Sequence, residues 1–127
     1  RSRGQSGQVL LRLLEQRADN SVYRAGFAPS RRAARQLVTH GHFLLNGKRF
    51  DIPSLRLQPG DELVVRDHSK QTDYFKRIDE TSPAIDNAVS WVKVDRKKLT
   101  LTITGIPARE EAEPDINEQL IVEYYSR

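Results

Sequence analysis

At 127 residues, 37% hydrophobic and 30% charged, the chain is long enough to bury a core as one compact domain or as a small domain with an appendage. It has no cysteine, which excludes disulfides and thiolate zinc sites, and no apolar run approaches the ~18 residues of a membrane span. The net charge of +4 conceals a basic half: residues 1–49 hold ten Lys/Arg and two Asp/Glu, a local +8, whereas residues 50–127 hold eleven and fifteen, a local −4.

Residues 1–7 are polar, read as a flexible N-terminal segment, and lack the apolar core of a signal peptide. The chain opens on Arg1 instead of Met and is read as a fragment or a processed chain. Gln8 to Ala18 reads as a first helix, with Leu10, Leu13 and Leu14 on one side. Asp19-Asn20-Ser21 is placed to cap a short second helical turn, Val22 to Ala25, which Gly26 would end. A third helix is expected over residues 30–40, with Pro29 suited to a first helical position. Ala33, Ala34, Leu37 and Val38 form its apolar face, Arg32, Arg35, Gln36 and Thr39 the other, and Gly41 stops it.

Phe43-Leu44-Leu45-Asn46-Gly47-Lys48-Arg49-Phe50 follows at once. Asn-Gly between apolar runs is the strongest short hairpin signal, because both turn residues tolerate positive φ. Short extended pieces broken by Ile52-Pro53 and Pro59-Gly60 lead to a strand at Leu63–Arg66. Asp67 to Ala88 carries little pattern beyond a helical tendency at Tyr74–Ile78. Trp91–Val94 and Leu99–Thr104 read as a hairpin around Arg96-Lys97-Lys98, with Leu99, Leu101 and Ile103 on a buried face. An acidic loop, Arg109 to Pro114, precedes a terminal helix over Ile116–Tyr125. The expected class is α+β: about three short helices on a small, mostly antiparallel sheet, then a β-hairpin and a C-terminal helix. The expected division is 1–7, 8–67 and 68–127.

Arg31 and Arg32 fall in the first turn of the third helix, where the macrodipole is positive and an exposed cation costs roughly 0.3–1 kcal/mol. A local rule broken in this way is where function is expected. Together with Lys48 and Arg49 on the hairpin, the arginines make a surface suited to phosphates, the electrostatic footprint of a polyanion binder. A membrane surface fits less well, because the basic helix has no Trp or Phe to insert. His40 and His42 flank Gly41 without a neighbouring carboxylate or third His, so packing or RNA contact is favoured over a metal site. Tyr23, Phe27 and Phe43 are suited to stacking on bases, but their apolar settings favour core packing. No phosphate-binding glycine loop, nucleophile elbow or other catalytic arrangement is present in the sequence.

The run from Gly7 to Arg66 closely resembles the family of bacterial small-subunit ribosomal protein four, which gives its name to the alpha-L RNA-binding domain. Arg17–Ala28, Ser30–Val38 and His40-Gly41-His42-Phe43 carry the likeness most strongly. It continues through Asn46-Gly47-Lys48-Arg49, Asp51–Ser54 and Pro59-Gly60-Asp61, and closes with Pro107–Glu111 and Ile116–Arg127. The resemblance implies a non-catalytic structural constituent of the small ribosomal subunit. Such a protein binds small-subunit ribosomal RNA early in assembly, affects translational accuracy and adjoins ribosomal protein five, on a cytoplasmic or organellar ribosome. No cofactor, metal, membrane or small-molecule substrate is implied. Carried onto this sequence, the RNA-facing surface comprises Arg31, Arg32, Arg35, Gln36, His40, His42, Asn46, Lys48 and Arg49, with Arg24 as an outlying member. The family has a longer N-terminal portion, sometimes with zinc-binding cysteines, against which the terminal helix would pack.

The alpha-L module is also appended to pseudouridine synthases, tyrosyl-transfer-RNA synthetases and a heat-shock RNA-binding protein. Such proteins should lack the Pro107–Glu111 and Ile116–Arg127 sequences. A protein-binding module built on Ile116–Tyr125 is a third reading, and it would leave the basic half without a partner.

Overall fold

The structure, a computed structural model, describes residues 3–83 and 89–107, with side chains from Val9 onward. The first helix, α1, spans Arg3–Glu15, so it begins inside the segment read as flexible and stops short of Ala18. Once a helix is nucleated, extending it costs little, and polar residues 3–7 continue the turns set by the leucines. Its early end has a tertiary cause. Arg17 is extended (φ −63, ψ 147) and bridges to Arg56, while the Ala18 N–H donates to Leu55 O at 2.8 Å.

The helix α2 (Ala18–Arg24) therefore starts ahead of the turn expected at Val22. It ends as predicted on Gly26 (φ +80), with Gly26 N–H bonded to Tyr23 O and Phe27 N–H to Val22 O. This double bond pattern across a left-handed residue is the Schellman stop. The next helix, α3 (Arg31–Thr39), repeats it on Gly41 (φ +75), through bonds to Val38 O and Leu37 O. At its start Ser30 is the cap, its hydroxyl oxygen accepting from the Ala33 N–H at 3.1 Å. Pro29 thus stands before the cap and not in the first turn, correcting the sequence expectation.

The strands β1 (Phe43–Leu45) and β2 (Lys48–Arg49) form the Asn-Gly hairpin, with Asn46 at φ 51 and Gly47 at φ 82. Positive φ at both central residues matches the twist of the strands it joins. With β3 (Glu62–Val65), β4 (Val92–Asp95) and β5 (Thr100–Ile103) they make one five-stranded antiparallel sheet of order β2-β1-β3-β5-β4. Three single helical turns, α4 (Asp67–Lys70), α5 (Asp73–Lys76) and α6 (Ile78–Thr81), occupy the stretch with little sequence pattern. The architecture is α+β.

Val22, Phe27, Ala34, Val38, Phe43, Leu57, Leu63, Val65, Phe75, Leu101 and Ile103 bury together between the helices and one face of the sheet. Leu99, Leu101 and Ile103 are all buried, as their alternation with threonines predicts. Among the described residues no helix is long and apolar enough to cross a membrane. The acidic loop at 109–114 and the helix expected over 116–125 lie outside the described residues.

Candidate nucleic-acid interface

Both carboxylates of the basic half are inside. Glu15 is fully buried and receives Arg24 through Nε at 3.2 Å and through a second, shorter contact from Nη2. Asp19 accepts from Arg17 Nε at 3.1 Å and Nη2 at 2.9 Å. The Arg24 guanidinium also lies 5.9 Å from the Trp91 ring centroid. Arg24 is therefore placed in the interior beneath the surface to which the sequence assigned it: a buried carboxylate takes a guanidinium inward, and no pattern in the chain announces that pairing.

Arg31 occupies an intermediate position. Its Nε donates to Asn20 Oδ1 at 2.8 Å and its guanidinium sits 4.7 Å over the Tyr23 ring. Asn20 is itself fixed by donating to Glu15 O at 3.0 Å. A cation in the first helical turn is thus compensated here by a polar anchor and an aromatic face. Arg32 and Arg35 have no such compensation. Both are exposed, with Gln36 and His40, and the side chains of Arg32, Arg35 and Gln36 make no hydrogen bond or ion pair among the described residues.

The hairpin divides in the same way. Asn46 is a structural residue: its side-chain nitrogen donates to Asp61 Oδ1 at 3.0 Å and its oxygen accepts from the Glu62 N–H at 2.9 Å. Lys48 and Arg49 are exposed on β2, the edge strand, and point to opposite faces. The two basic elements stand close in sequence, joined by the His40–His42 turn. Arg66 holds that turn by donating from Nη1 to Gly41 O at 3.1 Å, a role with no signal in the sequence.

His42 is half-buried, with Nδ1 2.8 Å from Ser69 Oγ and its ring edge-on to Phe75 at 5.7 Å. Burial, with smaller effects of the nearby His40 and Arg66, lowers its pKa from the ordinary 6.5. The unfolded chain therefore takes up this proton first, so stability is held above pH 6.5 and is lost as pH falls from there toward the lowered folded value. We expect the melting temperature to fall on acidification through this window, and His42→Gln to reduce the fall. Equal slopes for parent and variant would remove His42 as its source.

Phe27 and Phe43 are fully buried and stacked at 6.5 Å between centroids, so neither is presented to a base. Tyr23 is half-buried beneath Arg31. No cluster of three or more His, Cys, Asp or Glu side chains suited to a metal ion occurs among the described residues. What the two elements present are exposed cations, Arg32 and Arg35 on α3 and Lys48 and Arg49 on the two faces of β2, with Gln36 and His40 as polar neighbours on α3 and at its end, side chains able to hold phosphates.

The S4 domain family matches residues 16–63, the stretch from the end of α1 into β3. The chain is 48% identical over 130 residues to small ribosomal subunit protein uS4 of Herpetosiphon aurantiacus, covering 100% of this chain and 61% of that protein. It is 47% identical over 127 residues to uS4 of Rubrobacter xylanophilus (100% and 62%) and 46% over 124 residues to that of Clostridioides difficile (98% and 59%). The chain thus spans about three fifths of the length of the curated relatives it matches.

Proposed function

Because the chain belongs to the S4-domain family of small ribosomal subunit protein uS4, we propose that it binds small-subunit ribosomal RNA as a structural, non-enzymatic part of the ribosome. It acts in the cytoplasm, in subunit assembly and translational accuracy, with ribosomal protein five as a neighbour. The observation that carries this reading is the sorting of charge: both carboxylates of residues 1–49 are buried against arginines, whereas Arg32, Arg35, Lys48 and Arg49 face solvent. Relatives that match the whole chain favour it over an alpha-L module of an RNA-modifying enzyme or heat-shock protein.

In mechanism, the α3 arginines and the β2 cations neutralise RNA phosphates and release counterions, so affinity falls steeply with salt. Base edges of an RNA helix are hidden in its deep groove, and folded shape and 2′-hydroxyls supply selectivity. Gln36 and His40 are the exposed polar side chains available for the latter. Replacing both Arg32 and Arg35 by Ala is expected to weaken binding to a 5′-domain ribosomal RNA transcript about ten-fold at moderate salt. Because both side chains are exposed, the melting temperature should hold. Filter binding against a scrambled-fold RNA of equal length checks this, and unchanged affinity would remove the α3 assignment.

A further inference from the structure

The turn between β4 and β5 holds three consecutive cations, and the structure treats them differently. Arg96 points inward. Its guanidinium donates to Gly26 O at 2.9 Å, to Ile78 O at 3.2 Å, to Ser82 O and to Asp79 Oδ1 at 3.2 Å. Lys97 and Lys98 are exposed, as is Lys93 on β4, and none of the three makes an ion pair among the described residues. Of the carboxylates nearby, Asp79 is paired with Arg96 and Glu80 with Arg77. Asp95 accepts the Lys98 N–H at 3.1 Å and keeps its charge, leaving three lysines against one carboxylate. Two lysines on the turn, Lys97 and Lys98, and a third on the adjoining strand, Lys93, therefore form no ion pair among the described residues. Arg96 fixes the backbone of that turn to the end of α2 and to α6, which lowers the backbone ordering cost of a complex there.

The sheet register places this cluster relative to the first. Arg49, Leu44, Val64, Thr100 and Asp95 are paired in one row across all five strands, and Lys93, alternating with Val94, shares their face. Arg49 and Lys93 therefore lie on the same sheet face at opposite edges, four strand spacings or about 19 Å apart. That interval exceeds a single nucleotide and suits a run of phosphates. Phe43 pairs with Val65, and the Val65 N–H donates to Leu99 O, so the Lys97–Lys98 turn and the His40–His42 turn share one end of the sheet.

We propose that Lys93, Lys97 and Lys98 form a second RNA-contacting edge, separate from the α3–hairpin surface and outside the stretch the S4 domain family matches, with Arg96 as its positioning residue. This rests on the RNA-binding reading above, and its occupant is a more distant part of the same folded RNA. A protein partner for this turn is the competing outcome.

The test is a two-by-two set on the full chain: parent, Lys93→Gln/Lys97→Gln/Lys98→Gln, Arg32→Gln/Arg35→Gln, and all five together. Each is titrated with the 5′-domain transcript across a salt series. The triple variant is expected to keep its melting temperature, lose about ten-fold in affinity at moderate salt and flatten the log–log salt slope by about 2–3. In the combined variant the two losses should multiply. A triple variant with parental affinity and slope, beside a weakened Arg32/Arg35 variant, would overturn the second edge and leave the first reading standing. A parent that does not bind the transcript would overturn both.

Discussion

Replacing Arg24 by Met is expected to destabilise the fold by about 3–5 kcal/mol, because it removes the guanidinium bonded to a fully buried Glu15. The same change should leave the solvent-facing cations where they are, so RNA affinity measured on the fraction that remains folded should be close to parental. Urea unfolding of Arg24→Met beside Arg32→Ala separates the two roles that sequence resemblance had joined. One variant loses stability and keeps its site; the other keeps stability and loses affinity. A stable Arg24→Met with weakened binding would return Arg24 to the interface. Changing Glu15 and Arg24 together to apolar residues should recover much of the loss, since matched burial of two apolar groups avoids desolvating either charge.

Phe43→Ala should cost a similar amount, about 3–5 kcal/mol, for a different reason. The ring is fully buried, stacked on Phe27 at 6.5 Å and met edge-on by Phe75 at 6.3 Å. The Phe27 backbone is held by the Tyr74 hydroxyl, which donates to its carbonyl at 2.7 Å and limits how far that neighbour can move into the space. Phe43 also opens β1, directly after His42, so loosening it disturbs the spacing between α3 and the hairpin. We therefore expect RNA affinity to fall together with stability, in contrast to Arg24→Met. Denaturant unfolding and filter binding of Phe43→Ala and the milder Phe43→Leu check both halves of this expectation.

The features legible in the sequence were those specified by adjacent residues. Asn46-Gly47 announced its hairpin, Gly26 and Gly41 announced two helix stops, and the alternation of Leu99, Leu101 and Ile103 announced a half-buried strand. The features that escaped are made by residues far apart. Gln16 and Arg17 suit a helix, and only the pairing of Arg17 with Arg56 breaks it. Pro29 and Ser30 are both credible helix starters, and the Ala33 N–H decides between them. The single turns α4 to α6 are too short to show a period. Within the site, Arg24, Arg31 and Arg32 look alike as letters, and their roles separate through Glu15, Asn20 and Tyr23, which select two of them for internal contacts. Arg96 and its lysine neighbours are sorted in the same way, by Gly26 and α6.

The position of β3 has a consequence for how such proteins diversify. The matched domain ends inside this strand, and one of its two neighbours, β1, belongs to the domain, whereas the other, β5, is supplied by residues 100–103. Taken alone, the domain would present a bare row of backbone donors and acceptors, which folded proteins avoid leaving open. In this chain the segment that follows the domain closes that edge. The hairpin β1–β2 lies at the other edge of the strand order, so a closing segment can differ without altering the hairpin cations proposed to meet RNA. An interrupted sheet of this kind is a built-in point of fusion, one at which a new extension both stabilises the domain and gives it a second surface.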